Sequence, residues 1–550
     1  MKIAIAQIDP IVGAFEGNSK KILEAYEKAC SLGARILITP ELGLCGYPPE
    51  DLLMRPEIFE RSEIALEELR KATLGKSTAL IVGHVRKSPQ AFGRPGLNMA
   101  TVLENGAAVF SQAKTLLPTY DVFDEARYFE PAKEIRVWDC DGKKIGVAIC
   151  EDLWSESLSD GRRIYDKGPV DFYENQNLDV LLSLSASPYE VGKREKREGV
   201  HGDIARRLNC PLVYVNQTGA TDEILFDGQS FAVNSDGHLT ARLRSFEIDF
   251  RLIETDAKSD KSSSPTNESI SEPVSEIEGL YLGLRTGIRD YFHRTGFKKA
   301  IIGLSGGIDS AVVAVLAADA LGGENVKGVL MPSQHTSADS IRDAELLAKN
   351  LGVQSEIQPI KFFYSVIQRE LSQTFGALAD LPTQNLQSRL RGMILMTVAN
   401  NDNALVLGTS NKSELAMGYS TLYGDLIGAL APLGDLFKTK VYELARHINK
   451  RNRPLIPENS INRPPSAELK PDQKDEDVLP PYEWLDPVLE AYLEKRLPVL
   501  KIDVTDRALL EQTIRTFRNN EYKRRQCPPV LKVTPRAFGV GRRIPIAKFW

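Results

Sequence analysis

Residues 254–279, "ETDAKSDKSSSPTNESISEPVSEIEG", constrain what this chain can fold into more than any other stretch. They are polar, charged and Ser-rich, with two prolines and almost no aliphatic side chains before Ile270. Such a segment cannot bury enough apolar surface to offset the entropy of ordering it. Residues 255–274 therefore read as an interdomain linker; the alternative is a surface loop inside one domain. At 550 residues the chain is also too long for one ordinary core. Two domains are expected, 1–254 and 275–550.

Each side of the linker alternates strand and helix patterns. Before it, "KIAIAQI", "ARILITP", "STALIVGHV", "IGVAIC", "DVLLSLSAS" and "PLVYVNQ" read as buried strands rich in Val, Ile and Leu. "NSKKILEAYEKACSLGA" and "REKREGVHGDIARRLN" read as helices, and "FDGQSFAVNSDGHLTARL" as a hairpin around Ser235-Asp236-Gly237. This half is α/β or layered α+β. After the linker, "IEGLYLGLRTGIRDYFHRTG" has amphipathic helical spacing. "KGVLMPS", "VQSEIQPI" and "ALVLGTSN" add strands among helices, the rhythm of a doubly wound parallel sheet. A Pro-rich, charged stretch, "NRPLIPENSINRPPSAELKPDQKDEDVLPPYEWLD", reads as a functional or disordered loop.

Composition narrows the function. A formal net charge of -5 supplies no global basic field for gripping nucleic acid. Six scattered cysteines without a CxxC pair argue against a zinc ribbon or a disulfide framework and for a reducing compartment. The start "MKIAIAQIDP" is strand-like rather than a signal segment, and no apolar run is long enough to cross a membrane. A cytoplasmic protein is expected. His84, His201, His238, His293, His335 and His447 form no HxxxH or HExxH pattern, which disfavours a histidine metal centre or Ser-His catalysis.

The string "IIGLSGGIDSAVV" places Ser305-Gly306-Gly307 between a strand and a helix. Glycines let the backbone approach a ligand, and the following helix offers free N–H groups and its positive end to phosphate. It is neither a Walker A loop nor GxGxxG. The SGGxDS string in this context resembles the ATP pyrophosphatases, which cleave ATP between the α- and β-phosphates and adenylate a substrate oxygen; the alternative is a tight strand–helix turn capped by serine. Asp309, at the phosphate end, suits Mg²⁺. Glu414, five residues past Thr409, is a second carboxylate; on spacing alone it reads as a solvated helix residue.

The whole second half resembles ammonia-using NAD synthetases through "GLSGGIDSA", "MPSQHTS", "QNLQSRLRG", "LGTSNKSELAMGY", "YGD" and "PPSAELKPDQKDEDVLPPYEWLD". The resemblance implies that ATP adenylates the nicotinate carboxylate of deamido-NAD and that ammonia displaces AMP. It implies an ATP cradle of Gly303, Leu304, Ser305, Gly306, Gly307, Ile308, Asp309 and Ser310, with Thr409 a further ATP contact. It also implies Mg²⁺ at Asp309 and Glu414, and deamido-NAD contacts at Asn385, Glu414 and Lys523. Glu521-Tyr522-Lys523-Arg524 departs from the His-Lys pair of ammonia-only members, and without the resemblance Lys523 reads equally as a solvated base. His335 would line the adenine-side loop, and the stretch Lys470 to Tyr482 is the expected lid.

In the first half, "KKIGVAICEDLW" ends an apolar run on Cys150, followed by two acids. Like charges oppose thiolate formation, so a nucleophilic Cys150 needs an activator elsewhere; alone, it reads as a buried small residue. This half resembles the nitrilase-like amidases through "PELGLCGYPPEDLL", "KTLLPTYDVFDEARYFEP", "GVAICEDLW" and "SLSASPYEVGK". The resemblance implies an αββα sandwich and a triad. Cys150 would form a thioester with a glutamine amide, Glu41 would act as general base, and Lys114 would face the oxyanion. Glu125 would be the supporting carboxylate, with Tyr120, Glu151, Ser187 and Lys193 contacting glutamine. Glu41, after Pro40, could otherwise be a helix-start acid. Cys45 and Cys210 read as structural.

Together these imply amidation of deamido-NAD with ammonia released from glutamine and passed internally, in a homo-oligomer that uses neither nucleic acid nor membrane. Another glutamine-fed ATP pyrophosphatase, GMP synthetase-like or tRNA-modifying, is the second reading; a catalytically dead binding or scaffold relative is the third.

Overall fold

The computed structural model describes residues 1–154, 164–255, 270–451 and 453–548. The chain divides into two compact units, Met1–Ser275 and Glu276–Trp550. Most of the segment expected as a linker lies outside the described residues. Its end packs on the first unit, where Ile270 bridges Arg242 and the Ser271 amide donates to the Arg242 carbonyl at 3.0 Å.

The first unit is a four-layer αββα sandwich. One six-stranded sheet runs in the order Asp249–Glu254, Lys2–Gln7, Ile36–Ile38, Ala79–Lys87, Gly96–Glu104, Ala107–Ala113. The other runs Leu239–Arg242, Phe231–Val233, Leu212–Asn216, Val180–Ser185, Lys143–Ile149, Val137–Cys140. The three innermost strands of the second sheet pair in parallel, as do Lys2–Gln7, Ile36–Ile38 and Ala79–Lys87 in the first. These are the Val/Ile/Leu runs of the sequence, because parallel strands covered on both faces are predominantly apolar; their buried polar residues, such as Gln7, Ser183 and Asn216, find hydrogen-bond partners. Three apolar cores follow from the layering. Ile3, Ile5, Ile38, Val147 and Leu182 pack between the sheets. Ile22, Tyr26 and Ala29, spaced along one face of the helix Phe15–Ser31, pack on the first sheet. Ile204, Ala205 and Leu208 of the helix Lys193–Leu208 cover the second. The hairpin joins Phe231–Val233 to Leu239–Arg242 through residues 234–238, around the expected Ser-Asp-Gly.

The second unit carries a four-stranded parallel sheet in the order Gln354–Ile357, Val326–Leu330, Ala300–Gly303, Leu405–Val406. The first three strands step one way and the fourth joins the far side of the first. This doubly wound topology opens a crevice at the carboxyl ends where the direction switches. The helix Ile308–Leu321 is almost all Ala, Val and Leu because it is buried all round. The Pro-rich stretch is partly ordered into helices Glu458–Asn462 and Tyr482–Leu489. Among the described residues, no helix is long and apolar enough to cross a membrane.

Candidate active sites

In the first unit, strand ends bring four charged or reactive groups together. Cys150 follows the strand Lys143–Ile149 at φ +45°, a left-handed conformation that a non-glycine residue adopts only under strain. Glu41 follows the strand Ile36–Ile38 and is fully buried. Its turn rests on the neighbouring strand at Gly83, where a Cβ would lie 2.3 Å from the Pro40 carbonyl oxygen. Lys114, 1% exposed, follows the strand Ala107–Ala113; its Nζ donates to Glu41 Oε1 and to Glu125 Oε1, each at 2.7 Å. Asn98 Nδ2 also donates to Glu41 Oε1 at 2.7 Å, and the Ala186 amide to Glu41 Oε2 at 3.0 Å. Tyr47 donates to Glu125 Oε1 at 2.8 Å.

Electrostatics divides labour among these groups. Burial and the charge of Glu41 push the Cys150 thiol well above its ordinary value, while Lys114 pulls it down. The resting group is therefore a thiol, and a base must take its proton. Burial lifts Glu125 above the usual carboxylate range, against the pull of Lys114. Glu151 accepts from Tyr120 at 3.0 and 2.9 Å and from Tyr165 at 3.1 Å, and burial raises it to about 7. Asp152 has a different task. Its Oδ1 accepts the Thr115 and Leu116 amides at 2.9 Å, and its Oδ2 accepts the Ile149 amide at 3.0 Å. It caps the Cys150 turn and ties it to the segment after Lys114.

The second unit holds a cleft of about 330 Å³ at the carboxyl ends of its strands. Gly306 sits at φ +79°, and a Cβ there would lie 2.3 Å from the Ser340 carbonyl oxygen, so glycine is required. Ser305 Oγ accepts the Gly307 amide at 3.1 Å and lies 3.1 Å from Ser310 Oγ, which shapes the loop before the helix Ile308–Leu321. On the cleft wall, Asp309 accepts from Asn411 Nδ2 at 3.1 Å and pairs with Lys438. Lys438 Nζ is also 3.5 Å from Glu414 Oε1. Burial and the like charge of Asp309 push the Glu414 carboxyl up, against Lys438. Two hard oxygen donors facing one cleft suit Mg²⁺, which takes one or two carboxylates, substrate phosphates and water. Among the described residues no cluster of three His, Cys, Asp or Glu side chains could hold a metal by itself.

Comparison with known proteins agrees with both halves. The carbon-nitrogen hydrolase family model matches residues 2–259 and the NAD synthase model residues 281–527. A glutamine-dependent NAD(+) synthetase of Synechocystis sp. is 45% identical over 99% of this chain and 98% of its own; that of Acinetobacter baylyi is 40% identical over 100% and 98%. The chain belongs to the glutamine-dependent NAD(+) synthetase family. The solved synthetase of Acinetobacter baumannii in complex with ADP superposes with TM-score 0.77 at 38% identity, covering 99% of this chain and 98% of that one. A second family structure, from Cytophaga hutchinsonii, shares the fold at TM-score 0.84 and 20% identity.

Measured against this synthetase framework, most residues singled out by sequence fall together. Glu41, Lys114, Glu125 and Cys150 form one buried group, with Glu151 and Tyr120 hydrogen-bonded beside it. Ser187 follows Ala186, whose amide holds Glu41, and the charge of Lys193 reaches Glu151. Gly303, Leu304, Ser305, Gly307, Ile308, Asp309, Thr409 and Glu414 line the cleft. Gly306 and Ser310 stand behind that wall, Gly306 presenting its carbonyl to Ser460 at 2.9 Å. Asn385 also stands back, accepting from the lining Thr421 at 2.8 Å. Lys523 donates to the Gly418 and Ser420 carbonyls at 2.6 and 2.8 Å rather than reaching the cleft. Thr336, not His335, lines the cleft; the turn at Ser333 leaves the His335 ring 3.2 Å from Gln334.

Sequence reasoning missed Asn98, Tyr47, Asp152 and Lys438. Asn98 sits mid-strand and Lys438 more than a hundred residues from Asp309, so no local spacing marks either. Asp152 was visible as an acid next to Glu151, but its three amide partners come from two separate segments.

Proposed function

We propose that this chain carries out ATP-dependent amidation of deamido-NAD to NAD with ammonia taken from glutamine. The observation that carries the reading is the pairing, in one chain, of a buried Cys150–Lys114–Glu41 group with an SGGIDS cleft bearing Asp309 and Glu414.

Glu41 takes the thiol proton as Cys150 Sγ attacks the amide carbon of glutamine, and Lys114 offsets negative charge on the carbonyl oxygen. Collapse breaks the C–N bond as the proton taken by Glu41 passes to the departing nitrogen, so ammonia leaves, a thioester remains and Glu41 is again a carboxylate. Glu41 then activates water, which releases glutamate. Asn98, Lys114 and the Ala186 amide hold Glu41 in a single orientation. Glu151, with Tyr120, Ser187 and Lys193, receives the α-ammonium and α-carboxylate of glutamine.

In the cleft, a carboxylate oxygen of deamido-NAD attacks the α-phosphorus of ATP, and pyrophosphate leaves. The amide groups of the Gly303–Ser310 loop and the amino end of its helix receive the phosphates. Asp309 and Glu414 would hold Mg²⁺, which would supply positive charge against the pyrophosphate. Ammonia then attacks the carbonyl carbon and AMP departs with the oxygen. Thr409 completes the ATP contacts, while Asn385 positions Thr421 and Lys523 holds the Gly418 and Ser420 carbonyls behind the wall on the deamido-NAD side. The segment Lys470 to Tyr482, which contributes Asp475 to the cleft wall, is the closing element.

We also infer a cytoplasmic homo-oligomer. Six free thiols suit a reducing compartment. The apolar side chains Phe362, Phe375, Leu381 and Met393 are exposed on adjacent helices and suit burial against another copy.

The adenylation step is tested with deamido-NAD labelled with ¹⁸O in its nicotinate carboxylate. One labelled oxygen is expected in AMP for each NAD formed; unlabelled AMP would exclude attack on the α-phosphorus. A second test concerns pH. Raised to about 7, Glu151 is a carboxylate only above that value, so kcat/KM for glutamine should rise through pH 7. Glu151→Gln should remove this limb and lower kcat/KM about tenfold at pH 8. An unchanged limb would assign it to another group.

A further inference from the structure

Among the described residues three cations line the cleft of the second unit: Arg391, Lys438 and Arg463. Two are committed. Lys438 is held by Asp309 and Glu414. Arg463 donates to Ser337 at 3.2 Å, Ser340 at 2.8 Å and the Gly306 carbonyl at 3.0 Å, and lies 3.7 Å from Asp343. Arg391 is different. It lies on the helix Asp380–Asp402, one turn before Leu395, and both residues face the cleft. Its Nε donates to the Met331 carbonyl at 3.1 Å, its one hydrogen bond among the described residues. The two Nη atoms have no protein acceptor there. Arg389, two residues earlier, is exposed and points its Nε to the Leu422 carbonyl instead.

Burial pulls the Arg391 guanidinium down to about 10, which still leaves it charged at neutral pH; Glu468 is the carboxylate whose charge acts on it. A half-buried cation with an open fork is costly unless an anion completes it. Met331 follows the strand Val326–Leu330, whose Val329 pairs with Gly303 at the start of the phosphate loop. The Nε–Met331 contact thus tethers the guanidinium to the end of the strand next to that loop, in the same cleft. A planar fork with two free nitrogens matches phosphate oxygens, where an ammonium would give only a point charge.

We infer that Arg391 is a phosphate clamp, its two Nη atoms gripping phosphate oxygens of a nucleotide substrate. The phosphate belongs to ATP or to the dinucleotide, and the experiment separates the two. The inference rests on the amidation reading above and adds to it a residue outside the SGGIDS loop.

The test uses the full-length protein with ammonium as nitrogen donor, so that glutamine chemistry does not enter. KM is measured separately for ATP and deamido-NAD with wild type, Arg391→Met and Arg391→Lys. Removing a contact made equally in ground and transition states raises KM with kcat little changed, so Arg391→Met should raise one nucleotide's KM at least about tenfold. Arg391→Lys keeps the charge but loses the fork and should raise the same KM about threefold. The other nucleotide's KM should stay within about twofold, a split that a loosened fold would not produce. A rise for ATP assigns its phosphates to the clamp; a rise for deamido-NAD assigns the dinucleotide. Calorimetric titration with ADP and with deamido-NAD should show the same selectivity. If both KM values are unchanged in either folded variant, the clamp is wrong. If the wild type makes no NAD from either donor, the amidation reading fails first.

Discussion

Cys150→Ala is expected to abolish NAD formation from glutamine, by at least about 10⁴-fold, because no other group can form the thioester. NAD formation from ammonium should remain within about twofold, since the adenylation cleft belongs to the other unit. The contrast is sharp because the thiol is not a preformed thiolate. Burial and Glu41 hold it protonated. In the proposed mechanism glutamine-dependent activity needs Cys150, Glu41 as base and the Lys114 cation as one unit, so removing any one should cost nearly as much as removing all three. The measurement is steady-state NAD formation with each donor in turn. Equal loss with both donors would mean that Cys150 supports the fold or the second unit rather than ammonia release.

Lys438→Met is expected to lose activity with either donor and to destabilise the second unit by roughly 3 kcal/mol, because it leaves two nearly buried carboxylates facing each other without their cation. Lys438 is 3% exposed at its side chain, and Asp309 and Glu414 are each 17% exposed. The ring of Tyr482 lies 5.6 Å from the ammonium, so little solvent can replace it. The variant should also sharpen a pH dependence. The Glu414 carboxyl is raised above its ordinary value near 4.5. Its contribution to stability is therefore complete below about pH 4.5 and is lost as pH rises through its raised value in the folded protein. With Lys438 gone, that value rises further, and the loss of stability towards alkaline pH should be steeper than in the wild type. Thermal melts of both proteins between pH 5 and pH 9 would decide it (the range is about that over which a raised carboxyl titrates). A variant whose melting temperature and pH slope match the wild type would show that Asp309 and Glu414 do not depend on Lys438.

Much of this molecule was legible before any coordinates. Val/Ile/Leu runs marked the inner strands because a strand covered on both faces is predominantly apolar. The Gly306-Gly307 turn before an apolar helix suggested a phosphate loop because glycines let the backbone approach a ligand and the helix start offers free N–H groups; the structure adds that a side chain at Gly306 would strike the Ser340 carbonyl. Cys150 with Glu41, and Asp309 with Glu414, were nameable only through the family resemblance; on pattern alone Cys150 reads as a buried small residue and Glu414 as a solvated helix carboxylate.

What the sequence pattern by itself determined, then, was two units built of alternating strands and helices and a glycine turn before an apolar helix; the αββα layering and the reacting residues came from the family resemblance. Hydrophobic periodicity and glycine stereochemistry are local and act within a few residues of the chain. The tertiary structure alone decided which groups share a proton or a charge. Asn98 and Ala186 grip Glu41 from 57 and 145 residues away. Asp152 ties two strand ends, Lys438 sits between Asp309 and Glu414, and Arg391 turns its free nitrogens to the cleft. Charge interactions depend on distance in space and on burial, and neither can be read from spacing along the chain.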